Sequence, residues 1–102
     1  MGYVLHITRA QDWSETKGAE IAVSEWIDLV DQDPELESDP DSGPYSAKWS
    51  STWFDWYDGS VFTTNPDRET LGKLLQIAGR LMARVQGDDG EAYETVEDWK
   101  ER

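Results

Sequence analysis

Apolar and polar residues alternate in short runs along most of the chain, and twice give way to apolar residues spaced three and four apart. The first run, Tyr3-Val4-Leu5-His6-Ile7-Thr8, alternates and is rich in β-formers, which predicts a strand over 3–8. Arg9 to Gly18 is polar and loop-like, and its one large apolar group, Trp13, is expected to pack back onto the domain edge. Val23, Trp26, Ile27 and Val30 then recur at i, i+3, i+4 and i+7, one stripe of a helix. Ser24 suits its N-cap, and Glu25 and Asp28 fall in the first turn, where the helix dipole favours acids. Pro34 ends the helix because it pushes the preceding residue out of the α region. Residues 33–44, with three prolines and a glycine among acids, read as an acidic Pro-rich loop.

The centre of the chain is β. Tyr45 to Ser51 predicts one strand, and Thr52 to Tyr57 and Ser60 to Thr64 flank Asp58-Gly59, the pair that favours a two-residue type I′ hairpin. That turn sets Tyr57 against Ser60, Trp56 against Val61 and Asp55 against Phe62. Alternation puts Phe54, Trp56 and Val61 on one face and Trp53, Asp55, Tyr57 and Phe62 on the other. A second helix follows, with Asn65 as cap, Pro66 in the first position and Asp67 in the first turn. Its apolar face is Leu71, Leu74, Leu75, Ala78, Leu81, Met82 and Val85, with Arg68, Lys73, Arg80 and Arg84 on the other sides. Ala83 to Gln86 leaves this helix as a short strand that turns at Gly87-Asp88-Asp89-Gly90 into Glu91-Ala92-Tyr93, and 94–102 reads as a loose tail. The order predicts one α+β domain over 1–102, an antiparallel sheet of about four to five strands with two helices packed on one face.

The amount of apolar material changes this picture little. Hydrophobic residues make up only 37% of the chain, but six Trp, four Tyr and two Phe each hide roughly 150–250 Å² when buried, enough to build one core. The absence of cysteine removes disulfides, thiolate nucleophiles and Cys-ligated zinc, and suits a reducing, cytoplasmic setting. No charged and apolar leader precedes the first strand, and no apolar stretch approaches the roughly 20 residues of a bilayer span, so neither export by that route nor a membrane is expected.

Charge changes the picture more. Twenty-two acids against nine bases give −13, which disfavours direct contact with nucleic acid or anionic lipid and favours a basic protein partner. The acids are unevenly spread: Glu25 to Asp41 holds eight and no base. Within it Asp31, Asp33, Glu35, Glu37, Asp39 and Asp41 alternate, yet neither Asp31 nor Asp39 starts an EF-hand register, because glycine and glutamate are missing from the required places. No metal site or cofactor is expected. The single histidine lies in a strand, no serine sits in a G-x-S-x-G elbow, and phosphate-cradling glycine loops are absent, so no catalytic residues are assigned.

Several strings, Tyr3-x-Leu5-x-Ile7-Thr8-Arg9, Ser24-Glu25-Trp26, Asp33-Pro34-Glu35-Leu36, Trp53-Phe54-Asp55, Asn65-Pro66-Asp67 and Val85-Gln86-Gly87-Asp88-Asp89-Gly90-Glu91, resemble a group of small acidic uncharacterised bacterial proteins. The resemblance runs over most of the chain and is thinnest at 38–48 and after Tyr93. The group has no assigned activity, so it supplies no catalytic residues. Its general character is similar to that of cytoplasmic immunity proteins, which neutralise antibacterial toxins.

The expectation is therefore a stoichiometric, immunity-type inhibitor that binds a basic toxin domain. The contact residues would be Asp28, Asp31, Asp33, Glu35, Glu37, Asp39 and Asp41 of the acidic segment, with Trp53, Asp55, Tyr57 and Phe62 of the outer hairpin face. An acidic DNA mimic, of the anti-CRISPR kind, that blocks a nucleic-acid-binding site is the alternative. A small carboxylate-dependent hydrolase and a homodimer sealing its aromatic faces are the remaining readings.

Overall fold

The hairpin forms where the sequence places it, and the rest of the sheet is built outward from it. A computed structural model describes residues 3–99; the last three residues of the expected loose tail lie outside them. Strands β4 (Thr52–Tyr57) and β5 (Ser60–Thr64) pair with Tyr57 opposite Ser60, Trp56 opposite Val61 and Asp55 opposite Phe62. Asp58 (φ 49°) and Gly59 (φ 87°) both take positive φ, as a type I′ turn requires. Strands β1 (Val4–Thr8), β2 (Glu37–Ser38), β3 (Ser46–Trp49), β6 (Arg84–Gly87) and β7 (Ala92–Tyr93) complete a seven-stranded antiparallel sheet in the order β2-β3-β4-β5-β1-β6-β7. The expected four to five strands undercount it. The two short edge strands account for the difference: β2 lies inside the expected loop 33–44 and is too short to carry an alternation signal, whereas β7 falls in the Glu91–Tyr93 stretch that the expected turn at 87–90 leads into.

Both helices pack on one face. Leu5, Ile7, Ala47, Phe54, Val61 and Val85 point to that side and meet Trp26, Leu29 and Val30 of α1 (Val23–Gln32) and Leu71, Leu74, Ile77 and Ala78 of α2 (Arg68–Arg80). Fully buried Trp26 and Phe54 each contribute roughly 3 kcal/mol or more of transfer free energy. The indole N–H of Trp26 donates to the Tyr45 carbonyl at 2.8 Å and that of Trp56 to the Ile21 carbonyl at 2.8 Å, so neither is buried unpaired. Among the described residues no helix is long and apolar enough to cross a membrane.

The helix ends differ from expectation for local reasons. Helix α1 begins after Ala22, and Ser24 lies inside its first turn. In place of a capping hydroxyl, the Glu25 carboxylate reaches back to the Ala22 N–H at 3.0 Å, and Arg9 grips the same carboxylate at 2.9 and 2.5 Å. The Arg9 contact and that N–H hold the Glu25 carboxyl well below its usual range, at about 2. The buried stripe of α1 is Trp26, Leu29 and Val30, and Ile27 is exposed, so the helix is rotated from the expected face. Helix α2 starts two residues late because Asp67 is its cap, accepting from the Thr70 N–H at 2.8 Å, while Asn65 (φ 51°) turns the chain before it.

At the other end of α2, Ala83 N–H donates to Ala78 O at 2.8 Å and Met82 N–H to Gly79 O at 3.4 Å, the paired bonds of a Schellman cap. Its left-handed position is taken by Met82 (φ 53°), which is 88% exposed and so belongs to no core face. A glycine there avoids the Cβ clash, so Met82→Gly is expected to stabilise the protein by about 1 kcal/mol. In a domain of this size that raises Tm by about 4–8 °C, read in a thermal melt. An unchanged or lowered Tm would show that the left-handed residue carries no strain.

Lys73 is the largest departure. Expected on a solvated side of α2, it is buried, and its ammonium donates to Asp33 at 2.9 Å, Glu35 at 2.6 Å and Gln76 at 3.0 Å. Arg80 adds a second bond to the same Asp33 oxygen at 3.0 Å. Burial by itself raises the Asp33 carboxyl, but Lys73, the Glu35 N–H and Arg80 outweigh it and hold the group below its usual range.

Candidate functional site

The face of the sheet away from the helices is the candidate site. Pairing lines up Ser46, Asp55, Phe62, His6 and Gln86 in one row across β3, β4, β5, β1 and β6. Only half of this face is open. The segment after β1 folds back over the β1–β6 half, because the buried Gln86 amide accepts from Trp13 N–H at 2.9 Å and donates to the Gln11 carbonyl at 2.7 Å. Trp13 therefore lies on the outer sheet face, and the expected edge packing is not what holds it. Its ring stacks on the His6 imidazole at 3.8 Å and 4°. The Asp88 carbonyl accepts from the Trp13 indole at 3.1 Å, and the Asp88 carboxylate pairs with His6 Nε2 at 2.9 Å.

The same segment braces the hairpin tip. Thr16 Oγ1 donates to the Asp58 carbonyl at 2.7 Å, and Ile21 N–H donates to the Gly59 carbonyl at 2.9 Å. Between tip and segment lies a cleft of about 450 Å³, floored by Val4, His6 and Phe62 and walled by Trp13, Tyr57, Asp58 and Asp88. A second cleft of about 350 Å³ opens at the far end of β4 and β5, between Trp53 and the Asn65–Thr70 stretch, with a more polar lining.

The expected contact residues divide into three sets. Trp53, Asp55, Tyr57 and Phe62 share the outer face as the alternation implies, and Tyr57 is its most exposed member at 72%. Trp53 is held on that face by Asp39, which accepts from its indole N–H at 2.8 Å, and by Lys48, whose ammonium sits 5.3 Å from the ring centre. The Trp53 N–H and Ser42 keep the Asp39 carboxyl below its usual range. Glu37 faces Lys48 from the edge strand, and Asp41 is exposed just beyond, so residues 37–41 reach the outer face. Asp28 and Asp31 are exposed on α1, in the layer behind the sheet. Asp33 is interior, paired with Lys73 and Arg80, whereas Glu35, tied to Lys73, keeps its side chain 61% exposed.

Sequence reasoning missed His6, Trp13, Asp58 and Asp88 as neighbours. Each lies beside a signal that was legible, the strand or the turn, but strand order decides that the turns after β4 and β6 flank one histidine. Chemically the site offers aromatic surface and carboxylates. The serines lining the first cleft bond elsewhere, Ser14 to Asp12 at 2.6 Å and Ser60 to the Tyr57 carbonyl at 3.4 Å, so neither forms a nucleophile–base pair with His6. Among the described residues no group of three His, Asp or Glu side chains is placed to hold a metal ion. Comparison with protein-family models, curated proteins and solved structures finds no match to this chain.

Proposed function

We propose that the protein is a stoichiometric, immunity-type inhibitor that captures a basic toxin domain on the outer face of its sheet. The observation that carries this reading is an aromatic row left uncovered by the fold and edged by acids: Tyr57 and Trp53 exposed, Phe62 half-buried, with Asp39, Asp55, Asp58 and Asp88 around them. Exposed aromatic anchors surrounded by charge are the usual anatomy of a protein-binding surface, in which the aromatics give affinity and the charges give rate and specificity. Acids on two layers of the molecule, interrupted by buried and paired ones, make a poorer copy of a continuous phosphate stripe, which favours the inhibitor reading over the DNA mimic.

A tagged pull-down from the source cell at low and moderate salt tests it, with one basic protein expected at one-to-one and weakened by salt. With that partner in hand, charge reversal at Glu37 and Asp41 is expected to slow association about tenfold while leaving Tm unchanged. Asp33 and Glu35 are unsuitable for the same test, since reversing either sets two like charges against each other at Lys73 or removes its partner. Association that is indifferent to both reversals and to salt would remove electrostatic steering. Recovery of a nucleic-acid enzyme that duplex DNA displaces would turn the reading to mimicry.

A further inference from the structure

We propose that the cleft between the hairpin tip and Trp13 is a receptor for an arginine side chain of the partner. The inference rests on the reading of a basic protein partner for its occupant, and on the cleft itself for its chemistry. The floor and walls supply His6, Trp13, Tyr57 and Phe62, so a flat group entering the cleft meets ring surface on several sides. Two acidic residues line the cleft from separate turns, Asp58 on the β4–β5 turn and Asp88 on the β6–β7 turn. Among the described residues the Asp58 side chain makes no hydrogen bond, and Asp88 spends one oxygen on His6. Among the described residues no lysine or arginine lines the cleft to neutralise them.

The combination selects a cation with an apolar stem. A neutral apolar ligand would leave the two carboxylates to be desolvated without a partner, and an anion would be repelled by both them and the net charge of −13. Among natural cations the guanidinium fits best. It is planar, so it stacks on an aromatic wall, and it is more weakly hydrated than an ammonium. Its fork of donors can meet two acceptors set apart, where a lysine presents a single point of charge.

The site is also held ready. Trp13 is fixed by its stack on His6 and two hydrogen bonds, and the tip carrying Tyr57 and Asp58 is braced by Thr16 and Ile21. Little ordering is left to be done on binding, which is what an anchor pocket needs.

The test uses the full chain and a small probe, N-acetyl-arginine amide, titrated into labelled protein while amide and indole resonances are followed by NMR. The expected result is saturable shifts at the Trp13 indole and at residues 57–60 and 88, with the uncharged citrulline analogue binding at least about tenfold more weakly. Tyr57→Ala and Asp58→Asn are each expected to weaken the arginine probe by roughly three- to tenfold. Neither side chain is part of the core, and Asn-Gly preserves the type I′ turn, so both variants should keep the wild-type spectrum elsewhere.

Three results would overturn the proposal: no shifts at these residues up to tens of millimolar probe, shifts confined to the acidic stretch 28–41, or equal binding of arginine and citrulline. A lysine probe that binds as tightly as the arginine one would overturn the guanidinium assignment. The titration needs no partner, so its failure leaves the inhibitor reading in place, whereas an empty pull-down removes that reading without altering the probe result.

Discussion

Replacing Lys73 with methionine is expected to destabilise the protein by about 3–5 kcal/mol, the cost of leaving a buried carboxylate without its main counter-charge. The Lys73 and Asp33 side chains are only 3% and 5% exposed, and the shape-matched methionine keeps the stem packing while removing the ammonium. Arg80 remains on Asp33 and holds the loss toward the lower figure. By contrast Arg68 and Glu97, paired at 2.5 Å, are 54% and 74% exposed, so Arg68→Ala should change stability by less than about 1 kcal/mol. Urea melts of the two variants at neutral pH separate the cases. Equal midpoints for wild type and Lys73→Met would mean that desolvation cancels the buried pair.

Acid gives the same ion pair a second signature. The Asp33 carboxyl is depressed in the folded state, so its contribution is complete above the unfolded value of about 4 and is lost as pH falls through the folded one. In Lys73→Met the principal partner is gone and less is left to lose. The stability gap between wild type and variant is therefore expected to narrow on acidification below about pH 4, and a gap that stays constant would place the effect outside the ion pair.

Gly59→Ala should be nearly as costly, and it should reach the binding face as well. A Cβ at this residue would lie 2.8 Å from the Glu20 Cβ and Cγ and 3.1 Å from its Cα, and the backbone sits at φ 87°. Left-handed strain contributes about 1–2 kcal/mol, and forcing apart packed groups about 1–3, for a loss of about 2–5 kcal/mol. The segment through Glu20 is the one that braces the hairpin tip, so displacing it also shifts Tyr57 and Asp58. The expected outcome is a Tm lower by about 8 °C or more together with weakened partner binding at temperatures where the variant is still folded. A loss of Tm with unchanged affinity would show that the brace serves stability alone.

Legibility in the sequence follows from how local each cause is. The hairpin and its two faces were readable because Asp58-Gly59 fixes the turn and the turn fixes the register of every residue beside it. The existence of both helices was readable from spacing, but their rotation was not. Ile27 continues a stripe from Val23 and Leu29 continues one from Trp26, and choosing between them needs the knowledge that the stripe ends at Asp33. Asp33 conceals that, since an acid in an acidic run looks solvated, and the lysine that justifies its burial lies 40 residues further on. The edge strand β2 and the half-covered outer face were unreadable for the same reason. They depend on which distant strands pair, and Gln86, whose amide docks the Trp13 segment, carries no sign of it in the sequence around it.

The place of β1 between β5 and β6 sets the order in which the molecule can be assembled. β1 lies in the interior of the sheet, and both of its neighbours come from the second half of the chain. The hairpin of β4 and β5 can form alone within microseconds, whereas β1 must wait through long loop closures before it gains a single ladder bond. Folding of this α+β topology is therefore expected to be limited by the capture of β1. A chain still being synthesised carries Leu5 and Ile7 uncovered until the residues of β6 emerge, and for that interval the most deeply buried strand is the one most open to mispairing.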